Sequence, residues 1–250
     1  MLRGDDNECY NLSMPTNPDE SATNEAVSLT RPDIHAGEIT HHIEHIKHEF
    51  EEGFDFLKKY PKSVSVFGSS MASPDSANYL KAVELTGRIA SELQYAIVTG
   101  GGPGIMEAAN KGAYQAGGAS LGLNVSIPHE RTTNAYVTHA IKFSYFFSRK
   151  TMLQFAAEAY VFFPGGYGTF DELFSALTLV QTGKFPRVPI ILFDSSFWKP
   201  LRAFLLSEMC KKNHSIEEAD LGLFEITDSI DRVLEIITRA QVSEWWRTIN

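Results

Sequence analysis

The stretch that decides the fold is Ala159-Tyr160-Val161-Phe162-Phe163-Pro164-Gly165-Gly166-Tyr167-Gly168-Thr169-Phe170-Asp171-Glu172. Its first five residues are apolar and read as a buried strand, and the residues from Thr169 to about 181 read as a helix,. Between them stand three glycines in four residues. They remove the Cβ atoms that would hold an anion away from the backbone. The helix start beyond offers unpaired N–H groups and the positive end of its dipole. Strand, glycine loop and helix start together predict a phosphate seat. Glu172, one turn into the helix, has two readings. With Thr169 it forms a T-x-x-E capping box, in which each side chain satisfies the other's backbone N–H,. It also shares the packed side of the helix with Leu173, Ala176, Leu177, Leu179 and Val180, whereas Asp171 leads a polar stripe through Ser175, Thr178 and Thr182,. An acid on the packed edge beside a phosphate seat is placed for chemistry.

The same alternation extends on both sides. Strands are predicted over residues 63–67, 96–99, 120–125, 140–143, 159–163, 188–193 and 224–227. Helices are predicted over 73–93, 105–116, 145–157, 169–181, 197–211 and 229–239, the first opened by Ser73-Pro74,. Short apolar strands alternating with helices give an α/β chain with a doubly wound parallel sheet and helices on both faces. Gly68-Ser69-Ser70, Gly100 to Gly104 and Gly165 to Gly168 each follow a strand. That is the end at which open α/β sheets bind ligands. Neither longer loop is a dinucleotide fingerprint, since Ile105 and Asp171 occupy the third glycine position,. Gly183-Lys184 is followed by Phe185 rather than a hydroxyl residue, so it is not a triphosphate loop,. A mononucleotide or sugar phosphate suits these loops better.

A second constellation is Phe146-Phe147-Ser148-Arg149-Lys150. At helical spacing Lys150 shares a stripe with Phe143, Phe146, Leu153 and Ala157, and Arg149 with Tyr145, Met152 and Ala156,. Their stems can snorkel along an apolar surface. Two adjacent cations on an otherwise apolar helix are better explained by an anion or carboxylate that they face. So little polar surface on this helix also predicts a homodimer that covers it. Farther upstream, Ile39, Ile43, Ile46, Phe50, Phe54 and Leu57 mark an amphipathic helix, with His41, His45 and His48 turned away from the isoleucines. His42 completes the cluster. A solvated stripe is the favoured reading over a zinc site, and no metal is assigned.

The 250 residues carry a net charge of −9 and 43% hydrophobic residues. There is no basic cluster interleaved with aromatics, so nucleic acid is not an expected partner. Two cysteines, Cys9 and Cys210, give no disulfide framework,. The opening MLRGDDNECYNLS has no apolar core, and no apolar run approaches membrane-spanning length,. A cytoplasmic protein without membrane partners is expected. The chain divides into a polar arm over 1–36, a helix over 37–60, the α/β domain over 61–240 and a tail over 241–250.

Three segments together carry a resemblance: TGGGPGIMEAANKGAYQAGG (99–118), the Arg149-Lys150 pair and PGGYGTFDELFSALTLVQTGK (164–184). From about residue 62 to 239 the chain resembles the LONELY GUY family, Rossmann-like nucleotide hydrolases often mislabelled lysine decarboxylases. The resemblance implies cleavage of the N-glycosidic bond of a nucleoside 5′-monophosphate, AMP-like or a cytokinin riboside monophosphate, to free base and ribose 5-phosphate. It implies no cofactor or metal, and a dimer or a higher assembly of dimers. It makes Arg149 and Glu172 the catalytic pair. Gly165, Gly166, Gly168 and Thr169 become the phosphate loop, and Lys150 the accompanying base. Gly68, Ser69, Gly101 and Gly102 line the remaining glycine loops, with Met106 and Glu107 as further candidates for the base or ribose. Cytokinin-activating members read Met-His-Glu before the Arg-Lys pair, where this chain has Phe146-Phe147-Ser148, so the preferred base does not follow. A non-catalytic nucleotide or molybdenum-cofactor (pterin) carrier is the competing reading. Lysine decarboxylation is disfavoured, because no motif presents a Schiff-base lysine with an acid for the pyridinium nitrogen.

Overall fold

A computed structural model describes residues 36–125 and 133–240 of the chain. Of the polar arm expected over 1–36, residues 1–35 lie outside the described residues and Ala36 opens the first helix; the C-terminal tail from 241 also lies outside them. Contacts divide the chain into Met1–Thr40, of which only the opening turn of the first helix is described, and His41–Asn250, which holds all that follows.

Seven strands, β1 (Ser63–Phe67), β2 (Ala96–Thr99), β3 (Ser120–Val125), β4 (His139–Phe143), β5 (Ala159–Phe162), β6 (Ile190–Phe193) and β7 (Phe224–Thr227), form one sheet. It runs β4-β3-β2-β1-β5-β6-β7, and every neighbouring pair is parallel. The expected α/β architecture is therefore the observed one. Period-two alternation assigns the faces. Val64, Val66, Ile97, Ala159, Val161 and Phe163 enter one core together with Tyr79, Leu85, Ile105, Val233 and Ile237. These last five come from the helices α2 (Ala77–Arg88), α3 (Ile105–Gln115) and α7 (Ile230–Arg239). Phe67, Val98, Tyr160 and Phe162 enter the opposite core with Met152, Leu153, Leu173, Ala176 and Trp198. Those are carried by α4 (Phe146–Phe155), α5 (Tyr167–Gln181) and α6 (Ser195–Phe204). Chain order proceeds outward from β1 to β4, then returns to β5 on the other side of β1. The reversal leaves a crevice at the carboxyl ends of β1 and β5, where such sheets take their ligands.

Several boundaries differ from the sequence expectation for identifiable reasons. The helix after β1 opens at Ala77 rather than Ser73, because Ser76 caps it by accepting from the Tyr79 N–H at 3.3 Å. β6 begins at Ile190 rather than Val188. Pro189 has no N–H for the ladder, although its carbonyl accepts from Tyr160 N–H at 2.9 Å,. α6 opens two residues before Phe197, capped by Asp194. α2 and α6 each run on as a wider π-helical turn, Ile89–Leu93 and Leu205–Lys212.

The first helix, α1 (Ala36–Leu57), does not bury the whole isoleucine face. Ile39 and Ile43 are exposed, and the buried positions are Glu49 and Gly53. All four histidines are exposed, and among the described residues no group of three or more His, Cys, Asp or Glu is placed to hold a metal. Phe54 meets Phe155 edge-on with ring centroids 5.2 Å apart, so this helix covers part of α4. Phe143, Met152 and Leu153 are consequently buried within the chain, and only Phe146 and Phe147 of the expected apolar surface stay exposed.

α2 and α3 touch without side chains between them at Gly112. A Cβ there would lie 2.2 Å from the Val83 carbonyl oxygen and 2.2 Å from Thr86 Oγ1. Gly112→Ala is expected to lower the unfolding free energy by about 1–3 kcal/mol through overpacking. Chemical denaturation measures it, and an unchanged midpoint would mean that the two helices separate freely.

Candidate functional site

The crevice is a cleft of about 610 Å³, within the range of small-ligand sites,. Loops after β1, β2 and β5 form its floor, and α4 and α5 form one wall. Gly68, Ser69, Gly101, Gly102, Met106, Arg149, Gly166, Gly168, Thr169 and Glu172 all line it. Three expected site residues do not. Glu107 accepts from the Tyr79 hydroxyl at 2.8 Å on the far side of α3. Lys150 pairs with Asp171 at 2.6 Å, tying α4 to α5. Gly165 is a spacer, since a Cβ there would fall 2.1 Å from Thr169 Oγ1 and 3.0 Å from the Ser69 amide.

α5 begins at Tyr167 with Gly166 as its N-cap and no side-chain cap. Thr169 is therefore already inside the helix, and the capping box with Glu172 is not made. This removes the structural reading of the acid. Glu172 is 6% exposed, and its Oε2 has no hydrogen-bond partner. Burial pushes its pKa up to about 7, opposed by Lys150 and Arg149 and reinforced by Asp171. A carboxyl poised near neutrality in a cleft is suited to proton transfer or to meeting a positive charge.

Arg149 is fixed from two sides. Its Nε donates to the Leu123 carbonyl at 2.7 Å. Its Nη2 lies where a Cβ on Gly100 would be, 1.9 Å from that position. Glycine at 100 is thus what admits the guanidinium. Burial lowers the Arg149 pKa while Glu172 opposes that shift, and a guanidinium stays charged at neutral pH regardless,.

The glycine loops differ in what they can offer an anion. Ser69 N–H donates to the Pro164 carbonyl and Gly101 N–H to Thr99 Oγ1. Both amides brace loops. At the start of α5 the Thr169 N–H donates to the Gly166 carbonyl, while the amides of Tyr167 and Gly168 have no intrahelical acceptor and are the ones placed to meet an anion,.

Sequence reasoning missed Asn110, Asn124, Thr133 and Asn134. Asn134 donates to the carbonyls of Gly101 and Gly102 and to Asn110 Oδ1, while Asn110 donates to Ser120 Oγ and the Leu121 carbonyl. This network holds the glycine loop after β2 in shape. Asn124, which lines the cleft, donates to Thr133 Oγ1 at 2.7 Å. Lone asparagines in strands and loops have no spacing that distinguishes them from turn residues. Met71, Phe146 and Tyr167, all exposed, make an apolar rim.

A parallel sheet with a glycine-lined cleft at its reversal point defines a Rossmann-like ligand-binding protein. The chain belongs to the family described as "Possible lysine decarboxylase", whose pattern matches residues 106–237; this is the LONELY GUY family named by the resemblance. A cytokinin riboside 5′-monophosphate phosphoribohydrolase of Rhodococcoides fascians is 28% identical over 153 residues, covering 58% of this chain and 74% of that protein. One from Arabidopsis thaliana is 25% identical over 145 residues, covering 58% and 68%. Among solved structures, the molybdenum cofactor carrier protein of Chlamydomonas reinhardtii shares the fold with a TM-score of 0.53 at 21% identity, over 71% of this chain and 99% of that one. A molybdenum cofactor binding protein from Rippkaea orientalis does so at 0.51 and 23%, over 71% and 95%.

Because Glu172 holds its proton more tightly folded than unfolded, the folded state loses stability as pH rises from about 4.5 to about 7,. The loss is on the order of 3 kcal/mol. Glu172→Gln should flatten this slope and be the more stable protein at pH 8. Denaturation curves at pH 5 and pH 8 check it, and an unflattened slope in the variant would assign the titration to another group.

Proposed function

We propose that the protein is a hydrolase that cleaves the N-glycosidic bond of a nucleoside 5′-monophosphate. The observation that carries the reading is Glu172, a buried carboxyl with a free oxygen facing no internal partner, in one cleft with Arg149 and an anion-seating helix start. The C1′–N bond breaks with its electron pair leaving on the base, and C1′ takes on oxocarbenium character. Ionised Glu172 offsets that charge, holds the ribose hydroxyls and receives a proton from the attacking water. The water oxygen bonds to C1′, the base takes up a proton from solvent as it leaves, and Glu172 then returns its proton to solvent. Arg149 faces the phosphate or the electron-rich departing base. Phosphate held at α5 orients the reacting carbon with binding energy from a remote group.

The name given to the family points to a decarboxylase, and the cleft does not fit its pyridoxal cofactor. No lysine is among the described residues lining it, and Lys150 is engaged with Asp171. A non-catalytic nucleotide or pterin carrier would use the same floor but has no need of a buried acid with a pKa near 7.

AMP should release adenine, and adenosine, lacking the phosphate, should react far more slowly. Glu172→Gln should lower turnover by ~100-fold or more. The wild-type kcat/KM should rise with pH through a pKa near 7 and that limb should be absent in the variant,. Chromatography of released base measures all three. Binding of AMP without any release would favour the carrier.

We also propose that the active unit is a homodimer. Phe146 and Phe147 remain 51% and 49% exposed on α4, and Phe146 also lines the cleft. A two-fold contact would cover them and exclude water from the rim. Sedimentation at micromolar concentration should show a dimer, and a fully active monomer would rule this out.

A further inference from the structure

α4 begins without a cap of its own. Tyr145, its N-cap residue, is extended and supplies no side-chain hydrogen bond to the first turn. The amides that enter this helix need acceptors. The two amides just before it, of Ser144 and Tyr145, find theirs on a residue distant in sequence. Glu49 of α1 accepts from the Ser144 N–H through Oε1 and from the Tyr145 N–H through Oε2 at 3.4 Å. Glu49 is 6% exposed.

Tyr145 is also the residue whose carbonyl receives the Arg149 N–H, at 3.3 Å. Glu49 therefore grips the amide of Tyr145 and Arg149 grips its carbonyl. The rest of α1 fixes the carboxylate in place. Gly53 admits Met152, whose Sδ lies 2.6 Å from where a Cβ would stand, and Phe54 packs against Phe155. Simple padding of α4 explains Gly53 and Phe54. It does not explain a buried acid, which costs free energy unless its oxygens are used. A negative group at a helix N-terminus is also favoured by the dipole, and Arg149 lies within the first turn, where that effect acts.

We propose that Glu49 is a positioning residue for Arg149: its carboxylate fixes the start of α4 so that the guanidinium is held between Gly100 and the Leu123 carbonyl. In this respect the N-terminal helix is part of the active site's support. The inference rests on the hydrolase reading for its effect on turnover, but not for its effect on α4.

The test uses the full chain with Glu49→Ala and Glu49→Gln, hydrogen exchange of the amides over 144–149, and AMP turnover. In Glu49→Ala these amides should exchange at least ~10-fold faster, with ~10-fold slower turnover, in line with the loss of a helix cap. Glu49→Gln keeps one acceptor oxygen and should recover part of both; it also serves if the alanine variant does not fold. Combined with Arg149→Ala, loss of Glu49 should cost no further turnover, because it acts through that residue. Unchanged exchange, unchanged turnover, or losses that multiply would each overturn the proposal. If the wild-type protein releases no base, the hydrolase reading fails on its own. AMP affinity then replaces turnover: non-additive weakening by the two substitutions supports the role of Glu49, and additive or absent weakening refutes it.

Discussion

The Glu172 carboxyl is almost wholly buried at the edge of the cleft, and most of the cleft's character follows from that burial. The acid stands on the side of α5 that packs toward Leu173 and Ala176, and its helix gives it no backbone donor. Nearby cations lower its pKa, yet burial wins, leaving it near 7. Lys150 contributes from a distance, since its ammonium is bound to Asp171. Arg149 is the cation placed in the cleft itself. A site built this way keeps an acid available in either protonation state at neutral pH, at the expense of native stability lost as pH rises from about 4.5 to about 7,.

Much of this was legible in the sequence because it rests on local pattern. The alternation of short apolar runs with helices fixes the parallel sheet, and glycine loops after strands fix the cleft. Glu172 was also recognisable from helical spacing, which puts it with Ala176 rather than with Asp171. What spacing could not decide was where α5 starts. Thr169 looks like a cap, but the chain turns helical at Tyr167, and that shift of two residues frees Glu172 from a backbone role.

Other elements were hidden because they depend on contacts distant in sequence. Lys150 sits beside Arg149 and could have shared its destination; Asp171 on the neighbouring helix takes it instead. Glu107 is claimed by Tyr79. The apolar α4 looked too large for one chain to cover, and α1 supplies part of the cover while Phe146 and Phe147 stay exposed. The asparagine network under the loop after β2 joins residues from two strands, a helix and a loop. No periodicity marks such a cluster. Only the folded chain brings it together.

Arg149 and Glu172 stand on the two helices that flank β5 in sequence, so one helix–strand–helix segment carries both charged groups. Ser69 and Gly102 in the loops after β1 and β2, Met106 at the start of α3 and Asn124 in β3 come from a different part of the chain. Arg149 nevertheless depends on that part, because Gly100 admits its guanidinium and the Leu123 carbonyl holds it, so a change at either moves the charged pair along with the ligand's surroundings.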